Sequence, residues 1–351
     1  MRLPVSSPDR FALQRGAAII TALLVVALAS VIVSALFYRE SVAIRSIENR
    51  ATLAQTRWIE RAVIDWAKVI LRNSQRDYDW PGSIWATPVA ETQLDETVTG
   101  GAKVGDASRQ ALLAGRIRDA QARFNVNALV KDHSVGADAS NTQSGSNNGL
   151  AGNNGNTGGS GTSADNADVS LAHLQAFRRL LGILSLPESL ADRVLARVRK
   201  AALQKRQGRN SSDEGWVMPL QRFDDLRDLP GFSDEVMKKL QPHLTVLPAD
   251  ARTVNVNAGT AEVLEALSPM WNPAAIRSFV ANRDVAPAHT LQDQVLGLVA
   301  NRPLDGTLVA VRSDYFVADG MIRYDRVESQ TETLLKRLDT GGVLVIWRHS
   351  N

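Results

Sequence analysis

Asp77 and Asp79 alternate in the stretch SQRDYDWPGS, residues 74–83, and offer two hard oxygen donors close together. A cation such as calcium takes several carboxylate and carbonyl oxygens. The spacing of a calcium-binding loop is incomplete here, and a solvated turn around Pro81 and Gly82 explains the same residues. Other chemistry fails on inventory. His133, His173, His243, His289 and His349 are scattered, and no glycine loop ends in the Lys and Ser or Thr that hold a phosphate. The absence of cysteine excludes thiol chemistry and disulfides. The acidic residues form no distinctive catalytic pair. The sequence therefore predicts no enzyme and requires no cofactor, with calcium at Asp77 and Asp79 the one metal it leaves open.

A second chemistry to weigh is phosphate contact. LRDLPGF, residues 226–232, makes a tight hinge with Ser233 as a natural cap for a following helix. Glycine-containing hairpins of this kind approach nucleic-acid phosphates through backbone N–H groups. Asp224, Asp225, Asp228, Asp234 and Glu235 ring this one and would repel a phosphate backbone, so a compact packing unit is the simpler expectation. Overall charge agrees. The formal net charge is +3, but residues 1–16 hold three Arg and one Asp, leaving 37 basic against 36 acidic residues in the remainder.

The elements that must position these residues begin with an apolar run over residues 17–37, broken only by Thr21, Ser30 and Ser34. As a helix it spans roughly 30 Å, the thickness of a bilayer's hydrocarbon core. Arg2, Arg10 and Arg15 precede it with only Asp9 opposing them, which sets the N-terminus in the cytoplasm and the remainder across the membrane. Ile44, Ile47, Ala54, Trp58, Ala62, Trp66, Val69 and Ile70 continue at spacings near three and four, so one helix is expected to about Leu71. Trp58 and Trp66 are expected to pack that helix onto a sheet.

Residues 115–129, GRIRDAQARFNVNAL, alternate as a strand or hairpin. Residues 134–168 lack aromatic residues and almost lack large aliphatic ones, and read as a disordered low-complexity excursion. Two amphipathic helices follow it, in LAHLQAFRRLLGIL and ESLADRVLARVRKAALQK. TVNVNAGTAEVLEALSPMW, residues 253–271, turns from an extended piece into a helix capped by Asn257 or Thr260, and echoes the earlier FNVN. In both, asparagine side chains are expected to bond the backbone. From residue 307 the period returns to two, with Gly320 and the pair Gly341 and Gly342 in turn positions of an antiparallel meander.

RGAAIITALLVVALASVIVSALF resembles a class III leader junction of the type IV pilin superfamily. With RIRDAQARFNVNAL, LRDLPGF, LQPHLTVLP, VNVNAGTAEVLEAL and the closing stretches SDYFVADG and VLVIW, the chain is similar to the minor pseudopilins of the general secretion pathway protein K family of type II secretion.

The resemblance implies an α+β fold: a pilin-like long N-terminal helix packed on an antiparallel sheet, with an inserted all-α domain of two SAM-like units. It divides the chain into a leader at 1–16, a membrane and filament-core helix at 17–37, and the first part of the body at 38–130. The excursion at 134–168, the helical insert at 169–306 and the closing strands at 307–351 complete it. Prepilin peptidase would cut between Gly16 and Ala17, leaving an Ala17 amine open to methylation. Thr21 would then stand at mature position five, where most pilins carry a glutamate that pairs with a neighbour's amine. Expected partners are minor pseudopilins I and J, the major pseudopilin, the peptidase and the inner-membrane assembly platform. Ile44, Ile47 and Ala54 are the expected contact residues, at a periplasmic filament tip that promotes export of folded proteins. A membrane-anchored nucleic-acid binder using the hairpin, and a minor pilin of a type IV pilus, remain alternatives.

Overall fold

The computed structural model describes residues 11–94, 111–131, 169–207, 216–291, 307–324 and 327–350. Helix α1 (Phe11–Asn73) is followed by strands β1 (Val89–Leu94), β2 (Ala111–Asp119) and β3 (Phe124–Asn125). Helices α2 (Leu171–Ile183), α3 (Ser189–Gln207) and α4 (Asp234–Leu240) precede β4 (Leu244–Thr245) and β5 (Val254–Asn255). Helices α5 (Ala261–Leu267) and α6 (Pro273–Asn282) then lead to β6 (Val309–Ala310), β7 (Tyr315–Tyr324), β8 (Val327–Arg337) and β9 (Val343–Ser350). The α+β architecture expected from the sequence is present. The excursion at 134–168 lies outside the described residues.

Five strands form an antiparallel sheet in the order β1-β2-β7-β8-β9, so strands distant in sequence meet at β2 and β7. The last turns of α1 cover one face. Ile59, Ile64, Ala67 and Leu71 sit over Leu113, Ile117, Phe316, Ile322, Tyr324 and Leu335. Gly115 and Gly320 face each other across β2 and β7, and a Cβ on Gly320 would come within 2.9 Å of Thr331 Oγ1 and 3.6 Å of Val63. Gly320 is thus a mid-strand residue that lets the helix approach closely, not the turn residue its sequence neighbourhood suggests. Gly341, with φ of +95°, does occupy a turn.

Trp58 and Trp66 overturn the expectation that they pack on the sheet: they are 67% and 46% exposed. The sheet-facing row of α1 instead contains Thr52, Thr56 and Glu60 among its aliphatic residues. The two threonine hydroxyls donate to the carbonyls of Glu48 and Thr52, at 2.9 Å each, which satisfies them within the helix. Glu60 accepts from Ser329 Oγ at 2.5 Å and pairs with Arg348. A row mixing polar and small residues escapes a search for large apolar ones.

The helical part packs around its own core, in which Phe177, Leu180, Leu181, Leu226, Leu240 and Leu244 are almost wholly buried. That core reaches back to Phe124, Val126 and Leu129 and forward to Val309 and Val311, past the limits 169 and 306 read from the sequence. It holds two units built alike. FNVN opens the first, whose β3 pairs in parallel with β4; VNVN opens the second, whose β5 pairs in parallel with β6. In each, the first asparagine's Oδ1 accepts from the second's backbone N–H, Asn125 from Asn127 at 3.1 Å and Asn255 from Asn257 at 3.0 Å. The second asparagine's Nδ2 donates outward, Asn127 to Leu247 O and Asn257 to Ala288 O, both at 2.8 Å. Asparagine suits both jobs because it supplies an acceptor and two donors on one short stem.

The stretch expected as a strand or hairpin at 115–129 is a strand only to Asp119, after which a short 3-10 turn carries it into β3 and a second one follows. At the hinge, Gly231 has φ of +87°, Phe232 and Leu226 are buried, and Ser233 caps α4 by accepting from Val236 N. Thr260, of the two expected caps, accepts from Val263 N. The helical part meets the second sheet face where Leu247 and Ala251 pack on Tyr315, Leu334 and Trp347. Asp250 accepts the Tyr315 hydroxyl at 2.8 Å and pairs with Lys336.

Candidate functional site

α1 has 63 residues, roughly 95 Å at 1.5 Å per residue. Residues 18–51 are exposed throughout, so about half the helix projects from the body. Its first part is long and apolar enough to cross a membrane by length and composition. Gly16 and Ala17 lie within α1. Thr21 Oγ1 donates to the Ala18 carbonyl at 3.0 Å, so this polar group carries no unmet hydrogen-bond demand.

Beyond the span, the apolar residues form a seam. Ile44, Ile47, Ala51, Ala54 and Trp58 follow one another at steps of three, four, three and four, and Ala62 extends the row. All six are exposed, Ile47 by 65% and Trp58 by 67%. At 100° per residue, the seam lies nearly opposite the sheet-facing row of Thr52, Thr56, Ile59 and Ala67. The alternating step is that of a helix surface packing against another helix. A small–large alternation of Ala with Ile and Trp leaves hollows between knobs. Arg61 lies over the Trp58 ring at 5.2 Å and holds the indole at the surface.

A polar clamp ties the chain just beyond α1 to the sheet and the helical part. Asp79 and Arg337 form an ion pair whose side chains are 1% and 4% exposed. Asp79 also accepts from Trp85 Nε1 at 3.1 Å and Ser313 N at 2.9 Å, while Arg337 donates to Ser313 O at 2.7 Å and Gln75 O at 3.2 Å. Beside it Asp119 accepts from Gln121 N at 2.8 Å, Ser313 Oγ at 2.6 Å and Asn255 Nδ2 at 2.8 Å. Asn255 donates to Asp79 O at 3.0 Å as well. The clamp therefore joins the α1 exit, β2, the start of β7, the end of β8 and the second helical unit.

Asp77 and Asp79 are not brought together as cation donors. Asp77 is exposed, whereas Asp79 is buried and its carboxylate is engaged by Arg337, Trp85 and Ser313, so the solvated turn expected of this stretch does not describe it. Among the described residues no group of three or more His, Asp or Glu is placed to hold a metal. Sequence reasoning missed Arg337 altogether. Its only signal was a basic residue inside an otherwise alternating strand, on the inward register.

Burial, the largest influence, pushes the Asp119 carboxyl up from 3.8 to about 6; the Ser313 and Asn255 hydrogen bonds oppose this and the Asp79 charge adds to it. Burial raises Asp79 too, against the pull of Arg337. A folded-state pKa above the unfolded one means the folded protein holds a proton that the unfolded chain has released. Asp119 therefore contributes stability that is full below about pH 4 and lost as pH rises through about 6, near 3 kcal/mol in all. Urea midpoints of the wild type and Asp119→Asn, followed between pH 4.5 and 7.5, should diverge with rising pH in favour of the variant. Parallel curves would place the Asp119 pKa at its ordinary value.

Comparisons with known proteins agree with this arrangement. Residues 122–249 match the family model described as type II secretion system protein K, first domain. The chain is 27% identical over 274 residues to the type II secretion system protein K of Pseudomonas aeruginosa, covering 72% of this chain and 68% of that protein. A chain in the crystal structure of the GspK–GspI–GspJ complex from the type 2 secretion system of enterotoxigenic Escherichia coli superposes with a TM-score of 0.56. That match has 19% identity and covers 87% of this chain and 98% of the other, so the fold is shared along nearly its whole length.

Proposed function

We propose that this chain, whose residues 122–249 match the family model of type II secretion system protein K, acts as a minor pseudopilin at the tip of a periplasmic pseudopilus. The observation that carries the reading is the exposed seam of α1, continuous with an apolar span and set opposite the row that holds the sheet. A lone subunit leaves the seam in water, and a bundle of similar helices removes it. The relative solved with GspI and GspJ supports two further minor pseudopilins as those neighbours.

Prepilin peptidase cuts between Gly16 and Ala17 in this reading, and the mature helix begins at Ala17. Thr21 supports a terminal position. A glutamate at that place needs an amine from the subunit above, and a buried carboxylate without one is costly. The Thr21 hydroxyl needs no neighbour, having bonded Ala18. The chain then caps the filament and promotes its initiation, and with it the export of folded proteins.

The test is the N-terminal mass of the chain recovered from membranes with and without active prepilin peptidase. A peptidase-dependent start at Ala17 is expected. An intact Met1 in both strains would reduce the apolar run to a plain anchor and remove the filament role.

A further inference from the structure

The outer edge of the sheet carries a second apolar surface. β9 reads VLVIWRHS and is an edge strand, hydrogen-bonded among the described residues to β8 alone. Leu344, Val345 and Ile346 on it are 50%, 41% and 39% exposed. Leu334 faces Trp347 while Leu335 faces Val345, so Ile346 is a bulged residue without an opposite number. Proteins ordinarily blunt an open edge with charge or proline. The first five residues of β9 have neither.

Ile346 and Trp347 form one wall of a groove of about 810 Å³. Val198 and Ala201 of α3 form the other, and Leu247 and Pro248 lie between them. Trp347 belongs to the sheet face that packs on Leu247, away from α1, so the groove is separate from the seam. Among the described residues lining it, the charged side chains are Lys131 and Lys205 and none is a carboxylate. An unpaired strand edge, an apolar trough beside it and two cations on the rim have a definite complement.

We propose that the β9 edge and this groove bind an extended, acidic segment of a partner protein by strand addition. The segment's main chain pairs with the outward N–H and C=O groups of β9, and every second side chain faces the trough between β9 and α3, where apolar ones fill it and carboxylates on the same face meet Lys131 and Lys205. A second copy of this chain fits less well, since it would bring the same lysines to the same rim.

Fluorescence anisotropy of the full chain in detergent micelles tests this, with a fluorescein-labelled octapeptide as probe whose alternate positions are valine and glutamate in turn, separated by threonine, so that one strand face carries both. Saturable binding is expected, weakened at least about tenfold by Lys131→Glu with Lys205→Glu, two exposed changes whose folding circular dichroism verifies. The same loss is expected for the peptide with lysine in place of glutamate and for one N-methylated at alternate backbone nitrogens, which cannot complete the strand. Equal binding of the N-methylated peptide, or of the lysine peptide, overturns the proposal. So does spontaneous disulfide dimerisation of Val345→Cys, the only cysteine such a chain would hold, because the occupant is then a second copy. No other secretion component enters the assay, so its outcome is independent of the N-terminal mass.

Discussion

Replacing Arg337 with methionine should destabilise the protein by roughly 3–5 kcal/mol, the cost typical of stranding one partner of a buried ion pair. Methionine keeps the stem that packs beneath the guanidinium, which itself lies 5.0 Å from the Phe316 ring centroid, so little of the loss is lost volume. What remains is the Asp79 carboxylate, 1% exposed, held by the Trp85 indole and the Ser313 N–H and next to a second buried acid at Asp119. Urea unfolding of the full chain in detergent, read by tryptophan fluorescence, measures the change. Adding Asp79→Asn to the variant should recover part of it by removing the stranded charge, and a double-mutant cycle isolates the coupling. A single-variant loss under about 1 kcal/mol would show that Asp79 is not left as a stranded charge, because water or a proton reaches it.

The second large effect is on assembly. Trp58→Lys and Ile47→Lys change residues already in water, so each variant should fold with stability within about 0.5 kcal/mol of the wild type. Under the proposed function, capture of the neighbouring minor pseudopilins should nevertheless fall by at least about tenfold for Ile47→Lys and more for Trp58→Lys, since a central tryptophan is commonly worth about 2 kcal/mol or more at an interface. Export should fall in parallel. Ile59→Lys, one position beyond Trp58 but facing the sheet at 7% exposure, provides the contrast: it should unfold the body and not merely weaken contacts. Unchanged capture by Trp58→Lys would remove the seam from the interface.

The α+β class, the single long helix and the closing strands were legible because each is a long run with one period. The two asparagine turns were legible as turns because the N-x-N spacing names its own hydrogen bond. Their role as matching frames of two units was not, since β4 and β6, which close the frames, are two residues each and lie far along the chain. The packing of Trp58 and Trp66 was misread for a reason that generalises. Periodicity locates a stripe of large apolar residues but not what covers it, and here the stripe faces outward while threonines and a glutamate face in. Asp79 looked like a solvated turn residue because its partner sits 258 residues away. Buried ion pairs of that kind are set by topology and leave no local mark.

Val130 and Val169 form an isolated antiparallel bridge, reinforced by the Ser170 N–H donating to Leu129 O at 2.9 Å. Both ends of the intervening 38 residues are therefore held side by side by the core itself. For a segment anchored in this way, the free energy of ring closure varies only with the logarithm of its length. Halving or doubling it changes the cost by about 0.6 kcal/mol. The chain can gain or lose polar sequence at this point over evolutionary time with almost no thermodynamic consequence, and a reporter domain spliced there should leave the two helical units undisturbed.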